Sequence, residues 1–435
     1  MGMRINRREF LGSGALAFAA AATGRAASEG AGQGAQDAPL RVGPPCLQAA
    51  AETTMGVSWH VSGLAKGAVE VADNPDFRAS RIVRPGGYRL VPVDATALQV
   101  RLEGLRPATR YWYRTITTPF TGIRNISAAK PGDPVVSATH SFTTLGPRAK
   151  AHFCVINDTH AQWKSFELVT AKVRELAPSA VVWNGDATDS THDKETAARV
   201  FLDPPIADRE WSSDVPVLFE NGNHDFRGSW APRMEEVMLA RHPAERSGDQ
   251  WDLRWNFAVR LGEVALIGMD TGEDKPDGHP FWFDLANFTP YRRAQAKWLE
   301  AALRRPDIAK ARYRVMFCHI PLVANIPAHT DPPWDGSVVD PAGFAYWSRE
   351  CRDLWAPIME RGRVDLLIAA HQHWFSCKPP EPGRRWAQMT GGGPELVKPG
   401  SGLFPTVIEG AVRDGKLVLT VHDVLNRRIA GTYSC

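Results

Sequence analysis

The 435-residue sequence predicts an α/β domain of layered sheets and helices, preceded by a small all-β sandwich. Two observations support this prediction. From about residue 40 to 146, short runs alternate apolar and polar residues between Gly, Pro and Asp, which is typical of an antiparallel sandwich. After Gly146, continuous apolar runs alternate with segments of helical periodicity, which favours an α/β domain. A chain of this length is also long for one core, so two domains are expected.

Residues 1–27 are predicted to form an export signal. A basic head is followed by an alanine-rich, weakly apolar run and by small residues suited to cleavage near Ala26 or Ala27. The adjacent Arg7 and Arg8 resemble the twin-arginine signal, which is read by a receptor and does not anchor the protein. The alternatives are an uncleaved anchor and a basic tail. The signal implies a periplasmic or secreted protein, the twin-arginine export machinery as a partner, and no stable membrane anchor.

The leader also accounts for the charge of the chain. The formal net charge is +3, and the leader alone contributes this amount through Arg4, Arg7, Arg8, Arg25 and Glu9. The mature protein is therefore near neutral and has no basic field that would attract nucleic acid or anionic lipid. Residues 28–39, rich in Gly, Ala and Gln, are predicted to be a flexible linker.

The predicted sandwich spans residues 40–146. Its alternating runs begin at Gly56, Gly67, Ala97 and Arg110. The stretch 102–114 resembles the part of an immunoglobulin-like, fibronectin type III-like domain that carries the tyrosine corner. In that resemblance Tyr111 is buried at the sandwich edge and its hydroxyl bonds nearby backbone. A half-buried strand aromatic is the alternative.

The region from 147 to 435 is predicted to contain amphipathic helices and buried thiols. One apolar stripe consists of Phe166, Val169, Val173 and Leu176. Thr289 and Pro290 are predicted to cap and open a second helix through Leu303. Six cysteines show no CxxC pair or zinc-finger spacing. Cys154 and Cys318 are expected to be buried, whereas the other four could pair after export, in an arrangement that the sequence does not specify.

Five apolar runs in this region each end in a cluster rich in Asp, His or Asn. The runs with their clusters span 152–160, 180–189, 217–225, 315–319 and 366–373. Buried strands would thus deliver metal ligands to one edge of a sheet. A single such His is more often a satisfied core residue. Five together indicate a metal centre, because buried His and Asp side chains without partners destabilise a fold.

The blocks DTH, GDATD, GNHD, a single His and AHQH resemble, in this order, the calcineurin-like metallophosphoesterases. The resemblance implies two mixed sheets flanked by helices, and a centre of two divalent or trivalent ions such as zinc, manganese or iron. It assigns Asp158, His160 and His373 to a first ion. It assigns Asn223, His319 and His371 to a second ion, with Asp186 as the bridge.

The implied reaction is hydrolysis of a small phosphomonoester or phosphodiester by a metal-bridged hydroxide. Two ions about 3.5–4 Å apart can bind the phosphate oxygens and ionise a shared water. The resemblance makes His224 the general acid for the leaving group and Asp189 the carboxylate that orients it. Asp189 as a turn cap is the alternative. The rival function is a non-catalytic, adhesion-type protein that binds a partner through the sandwich domain and has a decayed metal site. All seven ligand positions, however, carry suitable side chains.

Two departures from related patterns matter. Purple acid phosphatases resemble this chain in architecture, but they use a Tyr where Asp189 stands and lack the His of the first block, so no iron–phenolate chromophore is expected. The family's last block usually begins with Gly, whereas this chain has Ala370, which adds a methyl group near the second ion. Weaker candidates for substrate contact are His192, Arg227, His279, His329 and Trp374.

Overall fold

The structure is a computed structural model that describes residues 39–85, 93–122, 128–240, 242, 253–275, 277–278, 282–323, 346–394 and 403–435. Arg41–Cys435 form one compact unit. The predicted leader, almost all of the predicted linker, His279 and His329 lie outside the described residues. In the described part of the chain, no helix is long and apolar enough to cross a bilayer.

The described residues between 40 and 146 contribute ten strands. They are β1 (Cys46–Gln48), β2 (Met55–His60), β3 (Ala65–Ala72), β4 (Arg81–Val83), β5 (Val93–Asp94), β6 (Ala97–Leu102), β7 (Arg110–Thr121), β8 (Lys130–Pro131), β9 (Val135–Val136) and β10 (His140–Thr143). The four runs predicted as strands are confirmed as β2, β3, β6 and β7. The Tyr111 hydroxyl accepts a hydrogen bond from the Arg106 amide at 2.9 Å, as expected of a corner tyrosine. A fibronectin type III-like origin stays a prediction.

The described residues after 146 add twelve strands and the helices. The strands are β11 (His152–Ile156), β12 (Ala180–Asn184), β13 (Val217–Glu220), β14 (Phe257–Leu261), β15 (Val264–Met269), β16 (Tyr313–Cys318), β17 (Leu366–Ala369), β18 (Ser376–Lys378), β19 (Ala387–Thr390), β20 (Thr406–Arg413), β21 (Lys416–Asp423) and β22 (Arg428–Ser434). The helices are α1 (Trp163–Leu176), α2 (Lys194–Phe201), α3 (Phe288–Arg304), α4 (Pro306–Ala309), α5 (Tyr346–Arg361) and a 3-10 helix (Ala231–Glu236).

Two mixed sheets dominate the fold, which confirms the predicted α/β architecture. The nine-stranded sheet has the order β22-β21-β20-β11-β12-β13-β1-β2-β6, and the six-stranded sheet has the order β14-β15-β16-β17-β19-β18. In the first sheet β11, β12 and β13 run parallel; in the second β15, β16 and β17 run parallel. The carboxyl ends of each parallel set therefore meet at one edge.

The strands of residues 40–146 divide between two sheets. β1 pairs in parallel with β13 at Gln48 and Val217, and β2 and β6 follow it. A separate seven-stranded sheet is built on β10-β7-β3-β4, with β5, β8 and β9 at its sides. The nine-stranded sheet thus runs across the predicted boundary near residue 146, and a separate domain of residues 40–146 stays a prediction.

Helix α1 shows how the sequence places its core. Phe166, Val169 and Val173 are almost completely buried, and Phe166 stacks on Trp183 of β12 at 5.0 Å between ring centroids. Burying each such side chain contributes about 1.5–3 kcal/mol. The predicted apolar stripe is confirmed.

The start of α3 differs from the prediction. The helix begins at Phe288, so Thr289 is its second residue and does not cap it. Asp277 takes this role, because its carboxylate accepts hydrogen bonds from the amides of Phe288 and Thr289 at 2.7 and 2.9 Å. A side chain distant in sequence replaces the local cap and satisfies amides that have no partner inside the helix.

All six cysteines lie in described ranges, and each is a free thiol. The predicted burial of Cys154 and Cys318 is confirmed.

Candidate metal centre

Five loops that follow the parallel strands bring the predicted ligands together. Asp158, His160, Asp186 and His373 each offer a ligand atom, and these atoms lie within 4.8 Å of one another. Asp186, His319 and His371 form a second group by the same measure. Asp186 belongs to both of these groups, and His160, Asp189 and His224 form a third group by the same measure.

The first group brings imidazole nitrogens and carboxylate oxygens close together. The Nε2 atoms of His160 and His373 lie only 3.2 Å apart. His373 Nε2 is 3.4 Å from Asp158 Oδ1, and His160 Nε2 is 3.5 Å from Asp186 Oδ2. A neutral imidazole with its proton on Nδ1 presents a lone pair at Nε2, so these nitrogens and carboxylates suit a cation.

The second group lies on the other side of Asp186. His319 Nε2 is 3.1 Å from Asp186 Oδ2. His371 Nδ1 is 2.9 Å from Asn223 Oδ1, so the amide that the resemblance assigned to this ion lies beside the second group. His319 is completely buried, and the contact of its Nε2 with Asp186 lacks the geometry of a hydrogen bond. A buried imidazole nitrogen that faces a carboxylate in this way fits a bound metal ion.

Neighbouring groups fix the tautomers of two of these imidazoles. His319 Nδ1 donates to the Asn184 carbonyl at 3.0 Å, which leaves Nε2 free for a ligand role. His160 Nδ1 lies 2.7 Å from Asp189 Oδ1 and is held in the same manner. Such outer contacts orient a ligand ring and raise its basicity.

The backbone around these residues is strained. Five of the seven predicted ligands have positive φ angles: Asp158 (46°), His160 (45°), Asp186 (48°), His371 (69°) and His373 (61°). Each such conformation costs a non-glycine residue about 1–3 kcal/mol, and these conformations cluster at functional sites. The turns after the strands therefore aim these side chains inward at a measurable cost in stability.

Two glycines allow the blocks to approach each other. A Cβ at Gly222 would lie 2.2 Å from the Asp186 amide nitrogen, and a Cβ at Gly185 would lie 2.5 Å from His319 Nδ1. Gly185 also has φ of 79°. The glycine of each of these blocks is thus required by close packing around the ligands.

The electrostatics keep the carboxylates ionised. Burial raises the pKa of Asp158, but the imidazoles of His373 and His319 offset it, and the pKa lies below its ordinary value. The same balance lowers the pKa of Asp186, with His319 as the strongest opposing group. Burial opposes protonation of His319, yet Asp186 and Asp158 raise its pKa to about 10. A bound metal ion would displace that proton.

His224 lies beside the centre. Its ring centroid is 4.8 Å from that of His160, and its amide donates to Asp186 Oδ1 at 2.8 Å. Its Nδ1 lies 3.2 Å from the carbonyl oxygen of Asp189 and 3.9 Å from the Asp189 carboxylate. The contact of Asp189 with His224 is thus made mainly by the backbone, and its carboxylate faces His160 instead.

The weaker candidates for substrate contact have different outcomes. Arg227 lies against His224, with Nη1 3.0 Å from His224 Nε2. His192 is exposed, and Trp374 is half-buried directly after His373. Ala370 is completely buried, and its amide donates to the His319 carbonyl at 2.8 Å.

The sequence patterns did not single out several residues that support the centre. Asn157 donates to Asp158 Oδ2 at 2.6 Å, and Asp225 accepts hydrogen bonds from the amides of Gly222 and Thr188. Glu273 and Asp274 follow β15, which is a sixth apolar run that ends in carboxylates. Counting that run with the other five would have found them. The hydroxyl of Tyr291 donates to Asp270.

Comparisons with solved structures show which known folds the chain resembles. The fold resembles that of a purple acid phosphatase from yellow lupin (Lupinus luteus) seeds, with a TM-score of 0.60 and 14% sequence identity. The alignment covers 90% of this chain and 73% of that chain. The fold also resembles that of PhoD, with a TM-score of 0.58, 11% identity, and coverage of 90% and 88%. At such identities the likeness shows the fold alone. No curated protein sequence matches the chain.

The family is shown by the sequence itself. A sequence model described as calcineurin-like phosphoesterase matches residues 151–375, which is more than half of the chain and contains all five blocks. The cluster of His and Asp side chains fits the metal ions that such enzymes require. The chain therefore belongs to the calcineurin-like phosphoesterases and is a metal-dependent phosphoric ester hydrolase.

Proposed function

We propose that this enzyme is an exported, dinuclear phosphoesterase that hydrolyses phosphomonoesters or phosphodiesters. The observation that supports it best is the position of Asp186, which belongs to both groups of potential ligands. A carboxylate shared in this way can bridge two ions. Asp158, His160 and His373 would hold one ion, and Asn223, His319 and His371 the other.

The ions and the side chains divide the chemistry. Two bound divalent ions supply charge stabilisation at the phosphoryl oxygens and lower the pKa of a bound water. His224 is absent from the two groups of potential ligands that share Asp186, although it forms a third group with His160 and Asp189. We assign its ring to donation of a proton to the leaving oxygen. The Asp189 carbonyl accepts from His224 Nδ1, so Nε2 is the ring nitrogen that would give up the proton to the leaving oxygen.

The bridging assignment can be tested by Asp186→Asn. We expect this variant to lose most bound metal and nearly all turnover, because a neutral amide does not bridge two cations as a carboxylate does. Metal content is measured by elemental analysis, and turnover with paired monoester and diester nitrophenyl substrates. Asp284→Asn, at an exposed position, serves as the control. Full metal occupancy in Asp186→Asn would contradict the bridge.

Export rests on the leader sequence alone. Replacing both Arg7 and Arg8 with Lys should leave the precursor in the cytoplasm, because the twin-arginine receptor reads the arginine pair itself. A metalloenzyme that acquires its ions while folded benefits from a route that carries folded cargo. Fractionation followed by activity measurement checks the result. Unchanged export would show that the leader uses another route.

A further inference from the structure

Arg227 occupies a position that the proposed reaction does not yet use. It follows His224 by three residues, and its amide donates to the His224 carbonyl at 3.1 Å. Its Nη1 lies 3.0 Å from His224 Nε2 and 3.4 Å from Nδ1. One guanidinium nitrogen is thus next to the ring atom that would face the substrate.

Glu273 holds this guanidinium in one orientation. Arg227 Nε donates to Glu273 Oε1 and Nη2 to Oε2, both at 3.0 Å. Asp274 adds a weaker contact at 3.7 Å. Only 4% of the Glu273 side chain and 25% of the Arg227 side chain are exposed. The bidentate ion pair therefore occupies Nε and Nη2 of Arg227, and Nη1 points toward His224.

An ion pair with Glu273 alone would not require the contact with His224. A guanidinium is permanently charged, so it either donates to a neutral imidazole or shares an anion with a protonated one. The phosphoryl group that His224 would approach is such an anion. Arg227 and His224 together form one surface that can donate hydrogen bonds to a phosphate oxygen.

We propose that Arg227 binds a non-bridging oxygen of the substrate's phosphoryl group and thereby favours monoesters over diesters. The inference rests on the proposed function, because it places the phosphoryl group beside His224. A monoester carries close to two negative charges near neutral pH, whereas a diester carries one. A fixed cation at this surface attracts the monoester more strongly, so Arg227 would decide between the two classes of substrate.

The experiment compares Arg227→Gln, Arg227→Lys and the parent, with Arg233→Gln as a matched control. Arg233 is an exposed arginine that pairs with Glu236 at 2.7 Å. Four quantities are measured: metal content, thermal stability, kcat and KM for nitrophenyl monoester and diester substrates, and the affinity for inorganic phosphate by calorimetry.

We expect Arg227→Gln to keep its metal ions and to lose about 10- to 100-fold in kcat/KM for the monoester, as for a lost hydrogen bond to a charged group. The diester should lose less, and phosphate should bind more weakly. Arg227→Lys should recover part of the phosphate affinity, because it keeps the charge without the bidentate pair. Arg233→Gln should resemble the parent.

Other outcomes would overturn the inference. Equal losses for both esters with unchanged phosphate affinity would limit Arg227 to the positioning of His224. Loss of metal ions in both Arg227 variants would make its role structural. Phosphate binding is measured without turnover, so an inactive parent whose phosphate affinity falls in Arg227→Gln would support the contact and contradict the proposed function.

Discussion

At the scale of single residues, His224 offers a clear separation between metal binding and proton transfer. It stands beside the two groups that share Asp186, and its Nδ1 is held by the Asp189 carbonyl. If its task is to protonate the leaving group, its removal should affect catalysis while the ions remain. Metal content and rate then report on different roles.

We therefore expect His224→Ala to keep both ions and to lose about a hundredfold to ten-thousandfold in rate with alkyl leaving groups. Nitrophenolates leave without much protonation, so their deficit should be far smaller. A plot of log rate against leaving-group pKa should be steeper for the variant than for the parent. Rates over a series of esters, together with elemental analysis, check this result.

Two outcomes would change the assignment of His224. Loss of one ion would make it a ligand, and an equal deficit across the series would indicate substrate binding. Asp189→Asn is a useful contrast, because it keeps the backbone carbonyl that contacts His224 and changes the carboxylate that contacts His160. Its effect should fall on metal affinity rather than on the leaving-group slope.

The residue types of the centre could be predicted because few side chains bind metal ions well, and His, Asp and Asn recur in this chain at strand ends. The supporting contacts could not be predicted in the same way. The Asp189 carboxylate meets His160, and the Asn184 carbonyl meets His319. These contacts depend on how separate loops pack against each other. Every residue has a backbone carbonyl, so the sequence does not show which one will accept a hydrogen bond.

At the scale of elements, buried strands were predicted better than helix ends. The run 180–183 is apolar on both faces, and β12 is buried at every position, so the pattern and the environment agree. The start of α3 depends instead on Asp277, eleven residues before Phe288. A local cap motif predicted Thr289 because sequence patterns do not show partners that tertiary structure supplies.

The turns after the strands have backbone conformations that the sequence pattern does not predict. Asp158, Asp186 and His371 have left-handed backbones although none is glycine. Local propensity disfavours this conformation. The conformation persists because contacts with the surrounding sheet and loops stabilise it. The strain is consistent with a site whose ligands are ordered before an ion binds.

At the scale of the whole molecule, residues 40–146 share a core with the rest of the unit. Cys46 of β1 and Ala97 of β6 pack in the same apolar cluster as Trp183 and Phe219. The Leu47 amide donates to the Ser212 carbonyl at 3.0 Å. Two domains were predicted because alternating apolar and polar runs give way to continuous apolar runs near residue 146. Such a pattern does not show whether strands on the two sides of this position pair in one sheet.

This arrangement leads to the prediction that the metal-loaded protein unfolds in one transition. Tyr113 of β7 is completely buried, and its hydroxyl donates to the Ser213 carbonyl at 2.6 Å. Tyr113→Phe removes that bond and should cost about 1–3 kcal/mol in the free energy of unfolding. We expect the ellipticity transition and the release of metal to move together to lower temperature. Ile82→Thr, at an exposed position of the same sheet, is the control.

The alternative is that residues 40–146 unfold as an independent domain. In that case Tyr113→Phe would lower only an early transition in ellipticity, and the temperature of metal release would stay that of the parent. The hydrogen bond between Tyr113 and Ser213 joins β7 to the loop that precedes β13. The loop that follows β13 carries Asn223. A coupled shift therefore means that the N-terminal strands support the metal centre through β13, whereas separate shifts would mean that they are an appended module.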